Sequence, residues 1–381
     1  MFKKTLVAVA VLGAAAFSAQ AANVTMYGKI DTGLRYTNVD ADVVGQDDVS
    51  TFEMKSGNYS GSRFGLKGSE DLGNGLSVGF VLENGFDSDD GTFDSNGDDK
   101  LFGRQASLHL KGNFGEFAMG RMGALSSTAG TFGLAGALSP LGTGWGDVGN
   151  QNLVFGGAEM SSRRSNMVTY VTPDFAGLKV YAQYGMGEKT ENKSSDDRYY
   201  ALGVTYQMAA LSTLAIAESV NRESVSNANA DDSYRFLLGG SYDLGVVKPY
   251  VAASYFKDGK VADLLGSWAV DADHKANLDR HYDGYGITVG ASMPFGAGKA
   301  HAVVGYMDAE YSAEANSTVV NGRSIDVTRF IVGTGYEYPL SKRTTVYADL
   351  GYFKDEVDAA NNKYDYKPEG YQAAVGLCHS F

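Results

Sequence analysis

The chain has 381 residues, of which 45 are acidic and 32 basic, so its formal net charge is −13 at pH 7. This acidic balance excludes nucleic acid as a partner, because binding to phosphates depends on a surplus of Lys and Arg. Glycine makes about 13% of the chain against a usual ~7%, and with 24 tyrosines and 19 phenylalanines it favours many twisted strands bordered by aromatic side chains.

The first 21 residues have the three parts of a secretory signal peptide. Two lysines form the charged start, an apolar stretch runs from Leu6 to Phe17, and Ala19-Gln20-Ala21 has the small residues of a cleavage site. The apolar stretch is too short for a spanning helix, and no later window approaches the ~18 apolar residues that such a helix needs. We predict a signal peptide over 1–21 and a single domain over 22–381, which could cross a membrane only as a closed barrel.

The opening of the mature chain alternates with period two. One face of this predicted strand is apolar and comprises Val24, Met26, Gly28, Ile30, Thr32, Leu34 and Tyr36. The other face carries every charge and comprises Thr25, Tyr27, Lys29, Asp31, Gly33 and Arg35. Such a strand suits a wall with lipid on one side and water on the other.

We count about sixteen strands of this kind along the chain. They begin near positions 24, 62, 76, 101, 114, 165, 178, 198, 212, 233, 247, 281, 299, 327, 344 and 370. Short turns such as 71–75, 173–177 and 294–298 alternate with long polar loops, which is typical of a barrel with tight periplasmic turns and long outer loops. The predicted fold class is therefore all-β, a transmembrane antiparallel β-barrel wide enough for an aqueous channel. A soluble β-sandwich is the alternative, but it does not require charged residues opposite the apolar faces.

Two motifs between positions 75 and 99 match enzyme or metal sites by their letters alone. Gly75-Leu76-Ser77-Val78-Gly79 fits the hydrolase pattern G-x-S-x-G, but that motif needs a strand, a turn and a helix, and here it begins a strand. Residues 87–99 hold six carboxylates without the Gly and Glu spacing of an EF-hand, which favours a solvated outer loop. The five histidines have no pair at metal-binding spacing. We predict neither an enzyme nor a bound metal or cofactor.

The third outer connection runs between Arg121 and Arg163 and is the longest. It is rich in glycine, and Asp147 and Glu159 are its only charged residues. A loop of this length without regular structure is usually functional or disordered. The residues alone favour equally a constriction loop folded into the barrel and a flexible surface loop.

Five motifs in order resemble the general trimeric porins of Gram-negative bacteria. They are Tyr27-Gly28-Lys29, Ser62-Arg63-Phe64-Gly65-Leu66-Lys67-Gly68, Glu70-Asp71-Leu72-Gly73-Asn74-Gly75-Leu76, Gly103-Arg104-Gln105 and the terminal Val375-Gly376-Leu377-Cys378-His379-Ser380-Phe381. The resemblance implies a sixteen-stranded barrel, a homotrimer and a third outer loop folded inward. It also implies an outer-membrane location among lipid and lipopolysaccharide, and passive diffusion of small hydrophilic solutes and ions.

The same resemblance implies a pore constriction and an assembly signal. A ladder of bases on the wall would face the loop acids Asp147 and Glu159, and its members would be Lys29, Arg63, Arg104, Arg163 and Arg164. The alternation independently places Lys29 and Arg63 on the polar face, whereas Arg104 shares the parity of Leu108 and would need a β-bulge. The terminal Phe381 corresponds to the aromatic that the assembly machinery of the family reads.

The sequence departs from the family at two positions and leaves two other functions open. Cys378, which the alternation places on the lumen face, stands where relatives often carry arginine, and Leu141 stands where an acid is expected. A substrate-selective channel of the sugar type would need a file of aromatics, to which Trp145 and Phe155 could contribute. A surface receptor or adhesin would act through the outer loops.

Overall fold

A closed antiparallel sheet forms the molecule. The computed structural model describes residues 23–42, 47–93, 100–128, 130–141, 151–187, 197–221, 232–261, 281–311, 325–359 and 365–381. Within them, seventeen strand segments form one sheet whose last segment is hydrogen-bonded to its first, so that neither edge is left open. Among these residues no helix is both long and apolar enough to cross a membrane.

The strand segments follow one another around the sheet in chain order. The first nine are β1 (Thr25–Asp40), β2 (Val49–Ser56), β3 (Arg63–Gly73), β4 (Leu76–Gly85), β5 (Gln105–Gly112), β6 (Gly115–Gly123), β7 (Arg163–Val171), β8 (Leu178–Gly185) and β9 (Tyr199–Met208). The other eight are β10 (Leu211–Val220), β11 (Ser233–Tyr242), β12 (Lys248–Lys260), β13 (His281–Phe295), β14 (Gly298–Tyr311), β15 (Ile325–Pro339), β16 (Thr344–Ala359) and β17 (Glu369–Ser380). Because β2 and β3 both pair with β1, they are two parts of one strand in a sixteen-stranded barrel.

The predicted fold class is confirmed. Each of the sixteen predicted strand starts lies within four residues of an observed segment start, and the segment that the prediction missed is β2. Turns of two to six residues join the strands at one end of the barrel, and connections of eight residues or more join them at the other. The predicted alternation of short and long connections is therefore also confirmed.

The two faces of the wall differ as the period-two pattern predicts. On β1, the outward Met26 is 63% exposed, whereas the inward Asp31 is 0% exposed. On β11, outward Phe236 is exposed and inward Arg235 is buried. An apolar outer surface and a polar interior are the arrangement that a lipid-embedded, water-filled barrel requires.

Candidate pore constriction

The described parts of the third outer connection, residues 124–128, 130–141 and 151–162, fold into the barrel. They contain three short 3-10 helices, Ala135–Leu138, Gln151–Val154 and Ala158–Met160. The first contacts β11 and β12, the second β13 to β15, and the third β10 and β12. The loop thus starts at β6 and packs on the opposite wall, so of the two interpretations that the residues left open, the inward-folded loop is confirmed.

Glycines in the wall and in the loop allow this close packing. A Cβ atom at Gly286 of β13 would collide with the carbonyl oxygen of Val154, and one at Gly290 would meet the ring of Pro140. Gly156 and Gly157 both have a φ of +59°, which glycine adopts without strain. The glycine richness of the loop therefore has a structural cause at these positions.

Two buried ion pairs tie the loop to the wall. Arg329 of β15 is 0% exposed and binds Asp355 of β16 in two contacts of 2.8 and 2.7 Å, while its Nη1 donates to the carbonyl of Leu153 at 3.0 Å. Arg235 of β11 pairs with Glu218 of β10 and donates to the carbonyl of Gly156 at 2.6 Å. Each guanidinium thus pairs with a neighbouring carboxylate and donates a hydrogen bond to a backbone carbonyl of the loop. Buried charges require such partners.

These two anchors were not among the residues predicted from the sequence. In both pairs the opposite charges stand on adjacent strands at inward positions, Arg235 opposite Glu218 and Arg329 opposite Asp355. Opposite charges that face each other on two neighbouring strands can indicate a cross-strand ion pair. This signal can be read only when the register between the strands is known, and one sequence does not supply it.

A second inward element lies between β2 and β3. The residues Gly57 to Ser62, called here the inward segment, leave the wall and fold around Asp31. The Asp31 carboxylate accepts the backbone N–H groups of Tyr59 at 2.7 Å and Ser60 at 2.6 Å, and the hydroxyl of Tyr347 at 2.7 Å. Asp31 is thereby sealed from water and fixes the position of the segment.

The inward segment also contacts β15 and β16, which lie beyond β17 on the other side of the junction where β17 pairs with β1. Asn58 donates to Asp349 of β16 at 2.7 Å, and the hydroxyl of Tyr59 donates to Glu337 of β15 at 2.7 Å. The Tyr59 ring stacks on Tyr347 with ring centroids 5.2 Å apart. It also packs on the cluster that Leu141 of the loop forms with Val303, Tyr347 and Cys378. The two inward elements therefore meet at this cluster.

Three of the predicted bases lie together beside the inward segment. Arg104 Nε is 2.9 Å and Arg63 Nε 3.9 Å from the carboxylate of Glu83. Lys29 Nζ lies 3.4 Å from the Ser60 hydroxyl and 5.8 Å from the Tyr59 ring centroid. We call Lys29, Arg63 and Arg104 the basic cluster. Two of its three positive charges, those of Arg63 and Arg104, approach the carboxylate of Glu83.

The explanation offered for Arg104 is corrected. Because Arg104 shares the parity of Leu108, the alternation predicted a β-bulge, but β5 begins only at Gln105, so the alternation does not extend to Arg104. Its backbone N–H still donates to the carbonyl of Glu83 at 3.2 Å, which holds it against β4 with its side chain inside the barrel.

The other predicted site residues lie elsewhere. Arg163 and Arg164 open β7, and the Arg164 guanidinium lies 4.9 Å from the ring centroid of Tyr199, whose hydroxyl donates to Glu218 at 2.6 Å. Arg164 thus borders an anchor of the loop, while the basic cluster lies near β1 and β3. Glu159 lies in the third 3-10 helix of the loop. Asp147 and Trp145 lie outside the described residues.

The C-terminal residues complete the seam between β17 and β1. Cys378 is 4% exposed and lies on the lumen side under Leu141, as its parity predicts. Gly28 and Phe381 exchange backbone hydrogen bonds of 3.2 and 3.1 Å. The Phe381 ring occupies the space that a side chain at position 28 would need. Phe381 is thus the last paired residue of the closed barrel.

Comparison with known proteins decides the family. The family model described as Gram-negative porin matches residues 8–358. The chain belongs to this porin family. It is 33% identical to an outer membrane porin protein of Bordetella pertussis, over 93% of this chain and 94% of that protein. It is 31% identical to outer membrane porin protein 32 of Delftia acidovorans, over 93% of this chain and 90% of that protein.

A solved porin has the same architecture. The structure described as an anion-selective porin from Comamonas acidovorans superposes with a TM-score of 0.68 at 26% identity, covering 94% of this chain and all of that chain. This porin is accordingly an outer-membrane β-barrel of a Gram-negative bacterium.

The motifs that suggested other chemistry have structural roles in this porin. Ser77 of the G-x-S-x-G match stands in β4 and pairs with Asp71 and Lys111 in the ladder, so no strand-to-helix turn is present there. Within the described residues, no three His, Cys, Asp or Glu side chains are grouped to hold a metal ion. In the acidic stretch, Asp90 accepts from the Thr92 backbone at 2.8 Å, and residues 94–99 lie outside the described part.

Proposed function

We propose that this porin is a general diffusion channel for small hydrophilic solutes and ions, with a weak preference for anions. The basic cluster carries the proposal, because its three positive charges lie together inside the barrel beside the inward segment, where Arg63 and Arg104 approach the carboxylate of Glu83 and Lys29 contacts Ser60. The related porin from Comamonas acidovorans is described as anion-selective, which supports the same preference here.

The location of the charges matters more than their sum. The net charge of −13 is a sum over the whole chain, and exposed charges are screened over about 8 Å at physiological salt. Inside a narrow, partly dehydrated passage the same unit charge acts at shorter range and lower dielectric. The bases at the constriction therefore outweigh the acidic outer loops in setting which ions pass.

The proposed constriction combines wall and loop residues. Lys29, Arg63 and Arg104 supply the bases that face the solute, with Asp147 and Glu159 of the loop as their acidic counterparts. Arg163 and Arg164 stand beside the base of the loop, where Arg164 supports its anchor. We also propose that the channel works as a homotrimer among outer-membrane lipid and lipopolysaccharide, after residues 1–21 are removed as a signal peptide.

Electrical recording in a planar lipid bilayer tests the proposal. We expect a current that rises linearly with voltage and with salt concentration without saturating, and a zero-current potential in a salt gradient of the sign that weak anion selectivity gives. Saturating currents that sugars block would instead favour the substrate-selective channel. An inserted protein with no conductance would favour the surface receptor.

The sugar-selective alternative has less support from the aromatic residues. Phe155 is 2% exposed, and its carbonyl accepts a hydrogen bond from Ser254 of the wall at 2.9 Å. Its ring packs in the buried cluster and therefore offers no face on which a sugar could stack.

A further inference from the structure

The strand formed by β2 and β3 holds more residues than its ladder needs. β1 pairs with β2 up to Thr32 and Ser56, and with β3 from Lys29 and Arg63. Between these two pairs β1 supplies two residues, Ile30 and Asp31, whereas the opposite strand supplies the six residues 57–62. Four residues are therefore in excess, compared with the one extra residue of an ordinary β-bulge.

The ladder identifies the four extra residues. The N–H of Gly57 donates to the carbonyl of Asp31 at 3.0 Å, so Gly57 still occupies the next ladder position after Ser56. Ser62 directly precedes Arg63, and its hydroxyl accepts the Asp31 N–H at 3.0 Å. The insertion is thus Asn58-Tyr59-Ser60-Gly61.

Each base of the basic cluster contacts this insertion. Arg63 donates to the carbonyl of Gly61 at 3.2 Å and to the Ser60 hydroxyl at 3.3 Å. Lys29 donates to the same hydroxyl at 3.4 Å. The Arg104 guanidinium lies against Gly61, where a Cβ atom would come within 3.1 Å of Nη1. The insertion therefore fixes where all three positive charges stand.

The insertion also covers two wall carboxylates and supports the loop. Asp31 and Asp349 both take donors from it, and the Tyr59 ring packs on the Leu141 cluster at which the loop meets the wall. Without these four residues, both carboxylates would face the lumen water, Lys29 and Arg63 would lose their hydrogen bonds to Ser60 and Gly61, and the loop would lose one support.

We infer that Asn58–Gly61 is a second constriction element, built into the wall, which narrows the pore and sets its anion preference by positioning the basic cluster. The inference rests on the proposed diffusion function. Tyr59 is its central positioning residue, because it joins the segment to Glu337, to Tyr347 and to the loop.

Excision of residues 58–61 tests the inference in the full chain. Gly57 and Ser62 then face Asp31 and Ile30, and the ladder continues in one register with every side chain on its original face. We expect a folded barrel that shifts in electrophoretic mobility on heating, as the parent does. Its single-channel conductance should rise and it should admit larger polyethylene glycols. The anion-to-cation permeability ratio should fall about twofold, because a unit charge about 10 Å from an ion in water changes the ion's local concentration by that factor, and the bases would no longer be held at that distance.

Point variants keep the inference falsifiable if the excised chain fails to fold. Tyr59→Ala removes the ring and should change conductance, polymer cut-off and permeability ratio in the same directions. Tyr59→Phe keeps the stacking on Tyr347 and loses only the hydrogen bond to Glu337, so its changes should be smaller. Tyr170→Phe is the matched control, because it removes the phenol hydrogen bond to the carbonyl of Phe114 on an exposed surface.

The outcomes separate this inference from the function on which it rests. A parent protein without conductance defeats the proposed function. A conducting parent whose folded excision variant, or whose Tyr59→Ala variant, has unchanged conductance, polymer cut-off and permeability ratio overturns the second constriction element and leaves the diffusion channel intact.

Discussion

The inner face of β1 carries a carboxylate that is fully removed from solvent. Asp31 accepts two backbone N–H groups and the Tyr347 hydroxyl, all within 2.7 Å. A buried carboxylate without such donors would be strongly destabilising. Asp31 thus organises the inward segment, beside which lie Lys29 and Arg63, the charges that we propose a solute meets.

Neutralising one base of the cluster should change ion selectivity. We expect Arg63→Ala to shift the zero-current potential toward cations, because one unit charge about 10 Å from an ion's path in water changes its local concentration about twofold. Asp147→Asn should shift it toward anions. Neutralising the six carboxylates of 87–99 should shift it less than either, since exposed carboxylates such as those of Asp89 and Asp90 are screened by salt. A dominant effect of the 87–99 loop in salt-gradient recordings would show that the constriction has been assigned to the wrong residues.

The last residue should matter for assembly more than its neighbour. Deleting Phe381 removes two backbone hydrogen bonds to Gly28, worth about 1 kcal/mol each, and the ring that lies over Gly28. Ser380→Ala keeps the backbone pairing and the ring. We expect a severalfold lower yield of heat-modifiable barrel for the deletion and a near-parental yield for Ser380→Ala. Equal yields would contradict the role given to Phe381.

At the scale of elements, the alternation of single residues predicted most of the barrel. Strands with one apolar face were found to within four residues, because lipid and water impose opposite demands on alternate positions. The inward segment was not found, since Gly57 to Ser62 has the composition of an ordinary turn. The sixteen predicted strands consequently lack the stretch Val49–Ser56 before it, although its outward Phe52 and Met54 alternate with inward Glu53 and Lys55.

The sequence could predict a site residue only where alternate positions along a regular strand determine which side chains point into the barrel. Lys29 and Arg63 stand on the polar face of regular strands, and their inward orientation followed from that. Arg104 lies one residue before β5, so the alternation of the strand could not predict the direction of its side chain. The anchors formed by Arg235 and Arg329 depend on which strands are neighbours and in which register, and no local pattern encodes that.

Breaking one loop anchor should loosen the constriction. Arg329→Ala leaves Asp355 buried without its partner, which costs about 3–5 kcal/mol, and removes the donor to the Leu153 carbonyl. We expect noisier channel currents, faster proteolysis within residues 124–162 and a lower denaturation temperature. The double variant Arg329→Ala/Asp355→Ala removes both charges and should lose less stability. Equal stability losses in the single and double variants would argue against an uncompensated buried charge.

At the scale of the whole molecule, closure of the sheet should give resistance to detergent. The pairing of β17 with β1 closes the sheet, so the barrel has no free terminal strand at which unfolding could start. We expect an oligomer that survives sodium dodecyl sulfate at room temperature, dissociates on heating, and has the circular dichroism of a β-protein. A monomer whose mobility does not change on heating, with a helical spectrum, would contradict both the barrel and the proposed trimer.

The seam between β1 and β17 has a consequence for biogenesis. Lys29 pairs with Ser380, about 350 positions further along the chain, so the ladder that closes the barrel also has the largest sequence separation. Contacts of such long range form slowly, because the chain between them must be ordered first. Closure cannot precede synthesis of the final strand, and any chain truncated by premature termination retains two unpaired strand edges. Such products are expected to aggregate in the periplasm or to be degraded there, which limits insertion to full-length molecules.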